Sequence, residues 1–297
     1  MEEIDKALQF LNKVLEKQPQ LVHASNIVRK CADESGHKLK AAQMLAIDYV
    51  EYLKAHFSIK GYTEDVIKRR VELLNNYYDY YDNSKYDYNK LFTSQGKLRP
   101  TILEEFFYLL FRDYLRDIQQ KVKDDEKILG IGSAKAYTNL YFSPISLKGF
   151  VEDPSIKLNV KDQDFAIFRE VPFQVGGNKK KTFQAKVPIL AVEVKTYLDK
   201  TMLEGVVATA EKLKMGNPYA RFVVASESYQ VDLSVDPSYS QIDQIYVLRK
   251  CGAMRRLTTI PPIHHDVVWR MFCEAKEHIE RPWSDVQSKL ENDGVII

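Results

Sequence analysis

Residues 187–205 read VPILAVEVKTYLDKTMLEG and indicate the fold class. The first half is apolar and rich in β-branched side chains, which is typical of a strand buried on both faces. Because side chains two positions apart in a strand share a face, Glu193 and Lys195 project together while the valines beside them project to the opposite layer. Asp199 is a favourable N-cap for a helix that follows at once. The stretch therefore predicts a central strand with two charged side chains at its carboxyl end and a helix that covers it.

The composition is that of a globular protein of one or two domains, with 45% hydrophobic and 28% charged residues in 297. No apolar run approaches the ~18 residues of a membrane span, and the acidic, amphipathic N-terminus lacks the pattern of a secretory signal, so we expect a cytoplasmic protein. The three cysteines form no CxxC pair, which argues against a disulfide framework and a zinc site. A net charge of +2 does not indicate nucleic-acid binding by itself, so such a partner needs local clusters of Lys and Arg.

The first 82 residues show apolar side chains at helical spacing, which predicts four helices. Pro, Gly and Ser interrupt the pattern in KQPQ, ESGHK and SIKGYT. Six tyrosines then lie within residues 77–88. Two interpretations stay open: the rings stack on a nucleic acid, or they cover a junction between two regions with one apolar and one wet end each. We expect the boundary between these regions within residues 83–98.

A strongly apolar helix is predicted in TILEEFFYLLFRDYLRDIQQKV, with Thr101 as its N-cap three positions before Glu104. A last helix is predicted to begin near His264. The sequence GIGS at residues 130–133 lacks the Lys-Ser or Lys-Thr that follows in a phosphate-binding loop, so we interpret it as a turn.

From residue 155 onward the apolar period becomes strand-like. Strands are predicted in SIKLNVK, QDFAIFREV, VPILAVEVKT, RFVVASES and QIYVLRK. A helix over Asp199 to Lys214 interrupts them, with one apolar face. The second half of the chain therefore predicts an α/β core with a helical extension.

Two acidic residues, Asp162 and Asp164, lie on the strand before the one that carries Glu193. If these strands pair antiparallel, Asp164 reaches the same place as Glu193. Two carboxylates and a carbonyl oxygen such as that of Val194 suit Mg²⁺, or Mn²⁺ in its place, with water completing the coordination. Lys195 beside such an ion suits phosphodiester hydrolysis. The alternative interpretation is a structural Glu–Lys pair at an exposed strand end.

QDFAI followed by ILAVEVK resembles the D…ExK active site of the PD-(D/E)xK nuclease superfamily. KLRPTILEEFFYLLF resembles the helix that precedes the catalytic strands in Type II restriction endonucleases. SAKAYTNLYFSP and KTYLDKTMLEG also resemble restriction-endonuclease sequence, of the heterodimeric, BbvCI-like kind. The resemblance covers about residues 97–250. It departs from the pattern in having Gln163 where Pro is usual, and in the long spacing to Glu193, which the insertion VGGNKKKTFQAKV explains.

The resemblance implies a fold: a mixed sheet flanked by helices, behind an all-helical N-terminal region. Residues 1–95 would serve DNA recognition, dimerisation or both, and residues 96–297 would form the nuclease domain. It also implies a Mg²⁺-dependent, sequence-specific endonuclease acting on double-stranded DNA, as a homodimer or heterodimer, with a cognate DNA methyltransferase as genetic partner. The catalytic residues implied are Asp164, Glu193 and Lys195, with either Glu104 or Glu105.

Two basic segments are candidates for contact with DNA. The lysines Lys179, Lys180 and Lys181 lie on the predicted loop between the catalytic strands, where phosphate contact or a solvated hairpin tip both fit. The arginines Arg249, Arg255 and Arg256 surround a turn and suit backbone contact more than base reading. Two other functions stay open: a structure-specific repair or recombination nuclease, and a non-catalytic DNA-binding module.

Overall fold

The computed structural model describes residues 2–92, 98–122, 129–152, 155–175, 180–281, 286–292 and 294. The helices are α1 Glu2–Lys17, α2 Val22–Asp33, α3 Gly36–Ser58, α4 Glu64–Asp82, α5 Tyr88–Leu91, α6 Pro100–Val122, α7 Leu147–Glu152, α8 Lys200–Gly216, α9 His265–Glu280 and α10 Val286–Asn292. The strands are β1 Leu129–Phe142, β2 Ile156–Val175, β3 Lys181–Leu198, β4 Arg221–Tyr229 and β5 Gln244–Val247.

The four helices predicted before residue 82 are α1 to α4, and their breaks fall in the three predicted segments. Helix α3 is the most buried of the four, with Leu45, Tyr49 and Leu53 fully covered. These side chains belong to the same cluster of buried residues as α6 and the sheet. The N-terminal helices and the sheet therefore share one core. No helix of the described chain is long and apolar enough to cross a membrane.

The tyrosines near the end of α4 pack inside the protein. Tyr77, Tyr78, Tyr81 and Tyr88 are buried, and Tyr52 stacks on Tyr77 with ring centroids 4.6 Å apart. Rings that are covered in this way are not available to stack on bases. The interpretation that the tyrosines cover a junction is the one that this packing supports.

The five strands of the described chain form one mixed sheet in the order β1-β2-β3-β4-β5. Strands β1, β2 and β3 pair antiparallel, and β3, β4 and β5 pair parallel through the crossover helix α8. Parallel neighbours need such a crossover, whereas antiparallel ones do not. The predicted fold class, a mixed sheet flanked by helices behind a helical N-terminal region, is confirmed.

Two predictions about the sheet are wrong. The predicted turn at residues 130–133 lies inside β1, and the first two predicted strands are one continuous strand, β2. Glycines mislead here because they serve close packing: a Cβ on Gly130 would lie 2.5 Å from the ring of Phe168. Gly132 has φ +118° and precedes a register shift in the β1–β2 ladder, as expected of a bulge.

Helix α6 lies between the N-terminal helices and the sheet. Phe111 stacks on Phe165 of β2 at 5.6 Å, and helix α8 packs on the other face of the sheet around Ala191 and Val224. Helix α6 begins at Pro100, a favoured first position because it has no N–H to leave unpaired. Thr101 is therefore not the N-cap as predicted, since its hydroxyl donates to the Leu98 carbonyl inside the first turn.

Candidate active site

The end of the β2–β3 ladder brings the predicted site residues together. Backbone pairing ends at Phe165 and Val192, so Asp164 and Glu193 are the next residues on adjacent strands. The backbone N–H of Val194 donates to the Asp164 carboxylate at 2.8 Å. A side chain thus continues the ladder where the backbone pairing stops, which fixes the Asp164 carboxylate beside β3.

Lys195 joins the two carboxylates. Its Nζ lies 2.6 Å from Oε1 of Glu193 and 3.7 Å from Oδ2 of Asp164. The alternation of β3 is as predicted, since Val192 and Val194 are buried in the main core on the opposite face. The three charged side chains are each between 16% and 30% exposed, so water and a ligand reach them at one edge of the sheet.

The site keeps a lysine charged beside a carboxylate that resists ionisation. Burial is the largest cause that raises the pKa of Glu193, the negative charge of Asp164 adds to it, and Lys195 opposes both. Burial alone would lower the pKa of Lys195, but Asp164, Glu193 and Glu104 together raise it. Two carboxylates this close stabilise a cation between them, and in this structure the ammonium supplies that charge.

The two glutamates at the start of α6 point to different places. Glu104 lies near enough to Lys195 to raise its pKa. Glu105 is buried and accepts hydrogen bonds from the N–H groups of His23 and Ala24, at 2.9 and 3.0 Å, and from the Tyr49 hydroxyl. The structure therefore brings Glu104 to the Asp164–Glu193–Lys195 cluster and places Glu105 among the N-terminal helices.

A family model of the Bpu10I restriction endonuclease matches residues 95–260, more than half of the chain, and contains the whole cluster. The chain belongs to the Bpu10I restriction endonuclease family. It is a type II site-specific deoxyribonuclease, a sequence-specific DNA endonuclease, as the resemblance implied.

The fold is also similar to a solved restriction endonuclease. The structure titled native BbvCI A2B2 tetramer superposes with a TM-score of 0.68 at 20% sequence identity, covering 89% of this chain and 98% of that chain. At this identity the similarity concerns the fold, and it includes the helical region before the family match. A comparison with curated protein sequences gives no match.

The chemistry of this endonuclease site fits a divalent cation of the hard type. Among the described residues no group of three or more His, Cys, Asp or Glu side chains is placed to hold a metal ion. Mg²⁺ commonly takes only one or two carboxylates and completes its shell with water and substrate phosphate. Asp164 and Glu193 supply that pair. A strand residue turns its N–H and C=O to the same side, so the Val194 carbonyl faces the strand that carries Asp164.

One further basic residue of the endonuclease was not predicted. Lys161 lies close enough to Glu193 to lower the pKa of that carboxyl. It precedes Asp164 by three residues on β2 and is exposed. This short spacing on a catalytic strand is the signal in the sequence that could have indicated it.

The predicted DNA contacts divide into exposed and buried residues. Lys180 is exposed and Lys181 begins β3, while Lys179 lies outside the described residues. Arg255 and Arg256 are exposed in a short 3₁₀ helix, Met254–Arg256, and line a cavity of about 700 Å³ beside the carboxyl end of β4. The carboxyl ends of parallel strands are where open α/β sheets commonly bind ligands.

Arg249 is placed in the interior. Its guanidinium is 5% exposed, donates to Glu227 at 2.8 Å and to the Pro261 carbonyl, and lies over the Tyr78 ring. Arg99 at the start of α6 donates to both oxygens of the same Glu227. These contacts occupy Arg249, so the prediction that it binds DNA is not supported by its position. The buried Arg–Glu–Arg cluster instead ties α4, α6 and β4 together.

Proposed function

We propose that this endonuclease cleaves double-stranded DNA with Mg²⁺, and that Asp164 and Glu193 hold the ion while Lys195 acts on the scissile phosphate. The observation that supports this proposal is the triangle of Asp164, Glu193 and Lys195, within 3.7 Å of the Lys195 ammonium at an exposed sheet edge. When bound, the cation supplies an activated water and positive charge for the phosphate.

Each side chain of the triangle has a separate task in this proposal. Asp164 is held in place by Val194 N–H, so it presents a preformed oxygen to the ion with little loss of rotamer freedom. Glu193 has a raised pKa, and loss of its proton is favoured by the arriving cation. Lys195 then exchanges its carboxylate partners for the phosphate oxygens and the attacking water, and stabilises the charge that develops there.

Glu104 has a supporting role in the proposal. Its charge acts on Lys195, and from this place it orients water or assists a second ion. The Val194 carbonyl is a further candidate ligand. Glu105, whose carboxylate is held by α2 and Tyr49, serves to join α6 to the N-terminal helices.

The DNA backbone is proposed to follow the basic residues nearest this edge of the sheet. Lys161, Lys180 and Lys181 lie on the catalytic strands or next to them, and Arg255 and Arg256 line the neighbouring cavity. Contacts of these side chains with phosphates fix the register of the enzyme on the duplex and make its affinity strongly salt-dependent.

Cleavage of both strands requires two active sites, so the working enzyme is proposed to contain a second subunit. The A2B2 assembly named for BbvCI supports association of this kind. Residues 1–95 are proposed to serve DNA recognition, dimerisation or both. A restriction enzyme that cleaves its own genome is lethal, so a cognate DNA methyltransferase is proposed as the genetic partner.

The proposal is tested by incubating purified protein with unmethylated linear DNA and Mg²⁺. Discrete fragments that disappear with EDTA, and that Asp164→Asn and Lys195→Ala abolish, are expected. Cleavage that persists in both variants would contradict the site, and cleavage restricted to branched DNA would favour a structure-specific nuclease. Calorimetry with Mn²⁺ on the wild type and Asp164→Asn separates metal binding from catalysis.

A further inference from the structure

The outer half of the β1–β2 hairpin is not covered by the rest of the chain. Contact with the body ends at Thr138, where Gly216 at the end of α8 comes so close that a Cβ there would lie 2.0 Å from the Thr138 carbonyl oxygen. None of the described residues from 139 to 162 is buried. We call this segment, with α7 at its tip, the arm.

The arm has one apolar face. Beyond a register shift near Thr138, Leu140 pairs with Leu158 and Phe142 pairs with Ile156, so these four side chains share a face. The other face carries Asn139, Tyr141, Lys157 and Asn159, because side chains alternate along each strand. Sequence alternation of this kind is typical of a hairpin with one face packed against a second layer, and the described chain supplies no such layer.

The apolar face continues into the tip. Seven side chains of the arm are between 37% and 97% exposed: Leu140, Phe142, Ile145, Leu147, Phe150, Val151 and Val160. With ~150–250 Å² for an aromatic residue and somewhat less for an aliphatic one, they present roughly 800 Å² of apolar surface. The largest apolar patch of a typical monomer is about 300–600 Å², so this face is larger than a monomeric protein ordinarily exposes.

From this face we infer that the arm is a subunit interface whose occupant is a second copy of this chain. The area decides for a protein: roughly 800 Å² is what each partner buries in a standard-size interface. An isolated two-stranded hairpin is only marginally stable in water, so a partner that covers the apolar face also stabilises the arm itself.

Charge decides against DNA as the occupant of this face. Binding to the phosphate backbone needs clustered cations, and the arm's lysines of β2, Lys157 and Lys161, alternate with its apolar residues on the opposite face. At the tip, Lys148 is paired with Glu152 at 3.8 Å. An apolar face without cations therefore suits a protein surface, while the lysine face stays available on the side of the active site.

The position of the arm gives the interface a function, which rests on the proposed need for two active sites. The arm and the catalytic Asp164 lie on the same strand, β2, without a break in secondary structure. A second copy seated on the apolar face is therefore held next to the active site, with its orientation relative to Asp164 fixed by one continuous strand. Assembly through the arm would place two catalytic centres on one DNA duplex.

The test is sedimentation velocity of the full-length chain over a range of concentrations, without DNA or divalent cation. The double variant Ile145→Asp/Leu147→Asp changes two side chains that are 97% and 81% exposed, so its folding is expected to be unaffected. Two buried carboxylates at the interface should raise the dissociation constant by at least about tenfold. The matched control is Leu233→Asp/Tyr239→Asp, two similarly exposed positions between β4 and β5, which should assemble as the wild type does.

Several outcomes would overturn the inference. A wild type that is monomeric at every concentration, or an arm variant that assembles as well as the wild type, excludes a second copy on this face. An arm variant that assembles normally but loses affinity for DNA assigns the arm to DNA instead. Assembly without any DNA cleavage would contradict the proposed function and leave the interface standing, because the sedimentation measurement requires no catalysis.

Discussion

The carboxylate of Asp164 accepts a hydrogen bond from the backbone N–H of Val194, 2.8 Å away. This bond replaces the next rung of the β2–β3 ladder, so one side chain both completes a sheet and stands beside Glu193 and Lys195. Asparagine has the same shape and also accepts this bond through its side-chain oxygen. The structural and chemical roles of Asp164 can therefore be separated by a single substitution.

Asp164→Asn should fold like the wild type and lose cleavage by about a thousandfold, because a bound cation supplies several kcal/mol of transition-state stabilisation. The measurement is single-turnover cleavage at saturating Mg²⁺, beside thermal unfolding. In the wild type, Mg²⁺ at 100 times its dissociation constant should add about 2.7 kcal/mol of stability. The variant should show a much smaller increase. An equal increase in both proteins would exclude Asp164 as a ligand.

Lys195→Gln should reduce the rate of cleavage by at least about a hundredfold, as expected when a group that stabilises developing charge is removed. Lys195→Arg keeps the charge but places it on a planar guanidinium, so recovery should be partial. Rates measured at saturating DNA separate this loss from weaker binding. A rate that Lys195→Gln leaves unchanged would show that the ammonium only neutralises the carboxylates.

The two glutamates of α6 predict opposite phenotypes. Glu104→Gln should lower cleavage about tenfold or more, within the range for a group that assists proton transfer or orients water, with little effect on stability. Glu105→Gln should leave the cleavage rate nearly unchanged, because its contacts are with His23, Ala24 and Tyr49. Parallel measurements of rate and melting temperature decide the matter. The reverse pattern would place Glu105 in the active site.

Glu105 also predicts a pH dependence of stability. Burial raises the pKa of its carboxyl to about 7 from the ordinary 4.5, so between these values the folded protein holds a proton that the unfolded chain has lost. Its contribution is complete below pH 4.5 and disappears as the pH rises through about 7, a change of about 3 kcal/mol. The difference in unfolding free energy between the wild type and Glu105→Gln should follow this course.

The neighbouring His23 titrates in the opposite sense, which is why the comparison uses a difference. Burial lowers the pKa of His23 to about 3, so its contribution to stability rises with pH between about 3 and 6.5. Both proteins contain His23, and its contribution cancels. A difference that stays constant from pH 4.5 to 7 would mean that Glu105 is ionised throughout.

The buried Glu227 should be essential for stability. It is 1% exposed and holds the guanidinium groups of Arg99 and Arg249. Glu227→Ala leaves both charges without their common partner, which should cost about 3–5 kcal/mol of unfolding free energy in urea. Asp82→Asn, at the more exposed end of the same cluster, is the matched control and should cost about 1 kcal/mol or less. Similar losses in both variants would argue against a special role for Glu227.

The parts of the fold that depend on local pattern were predictable. The helical spacing of residues 1–82 gave four helices in their places, and the cap at Asp199 is present, since its side chain accepts from the Met202 N–H at 2.8 Å. The antiparallel pairing that brings Asp164 to Glu193 also followed from alternation and connection length. Each of these features depends on neighbours within a few residues.

The parts that depend on distant contacts were not predictable. Gly130 looked like a turn because its role, making room for the ring of Phe168, is visible only once two strands pair. The choice between Glu104 and Glu105 depends on which helices cover α6, and one position of helix phase reverses it. Arg249 looked like a surface cation because the sequence does not reveal its partner Glu227, 22 residues away.

The carboxylate of Glu105 bears on whether the catalytic half can exist without the first 95 residues. Its three hydrogen-bond donors all come from that segment, as do many of the side chains that pack on the apolar surface of α6. A truncated chain beginning at residue 96 would bare this helix to water and aggregate. Protein engineers who exchange recognition segments between relatives should therefore transfer α2, α3 and α6 together, as one inherited unit.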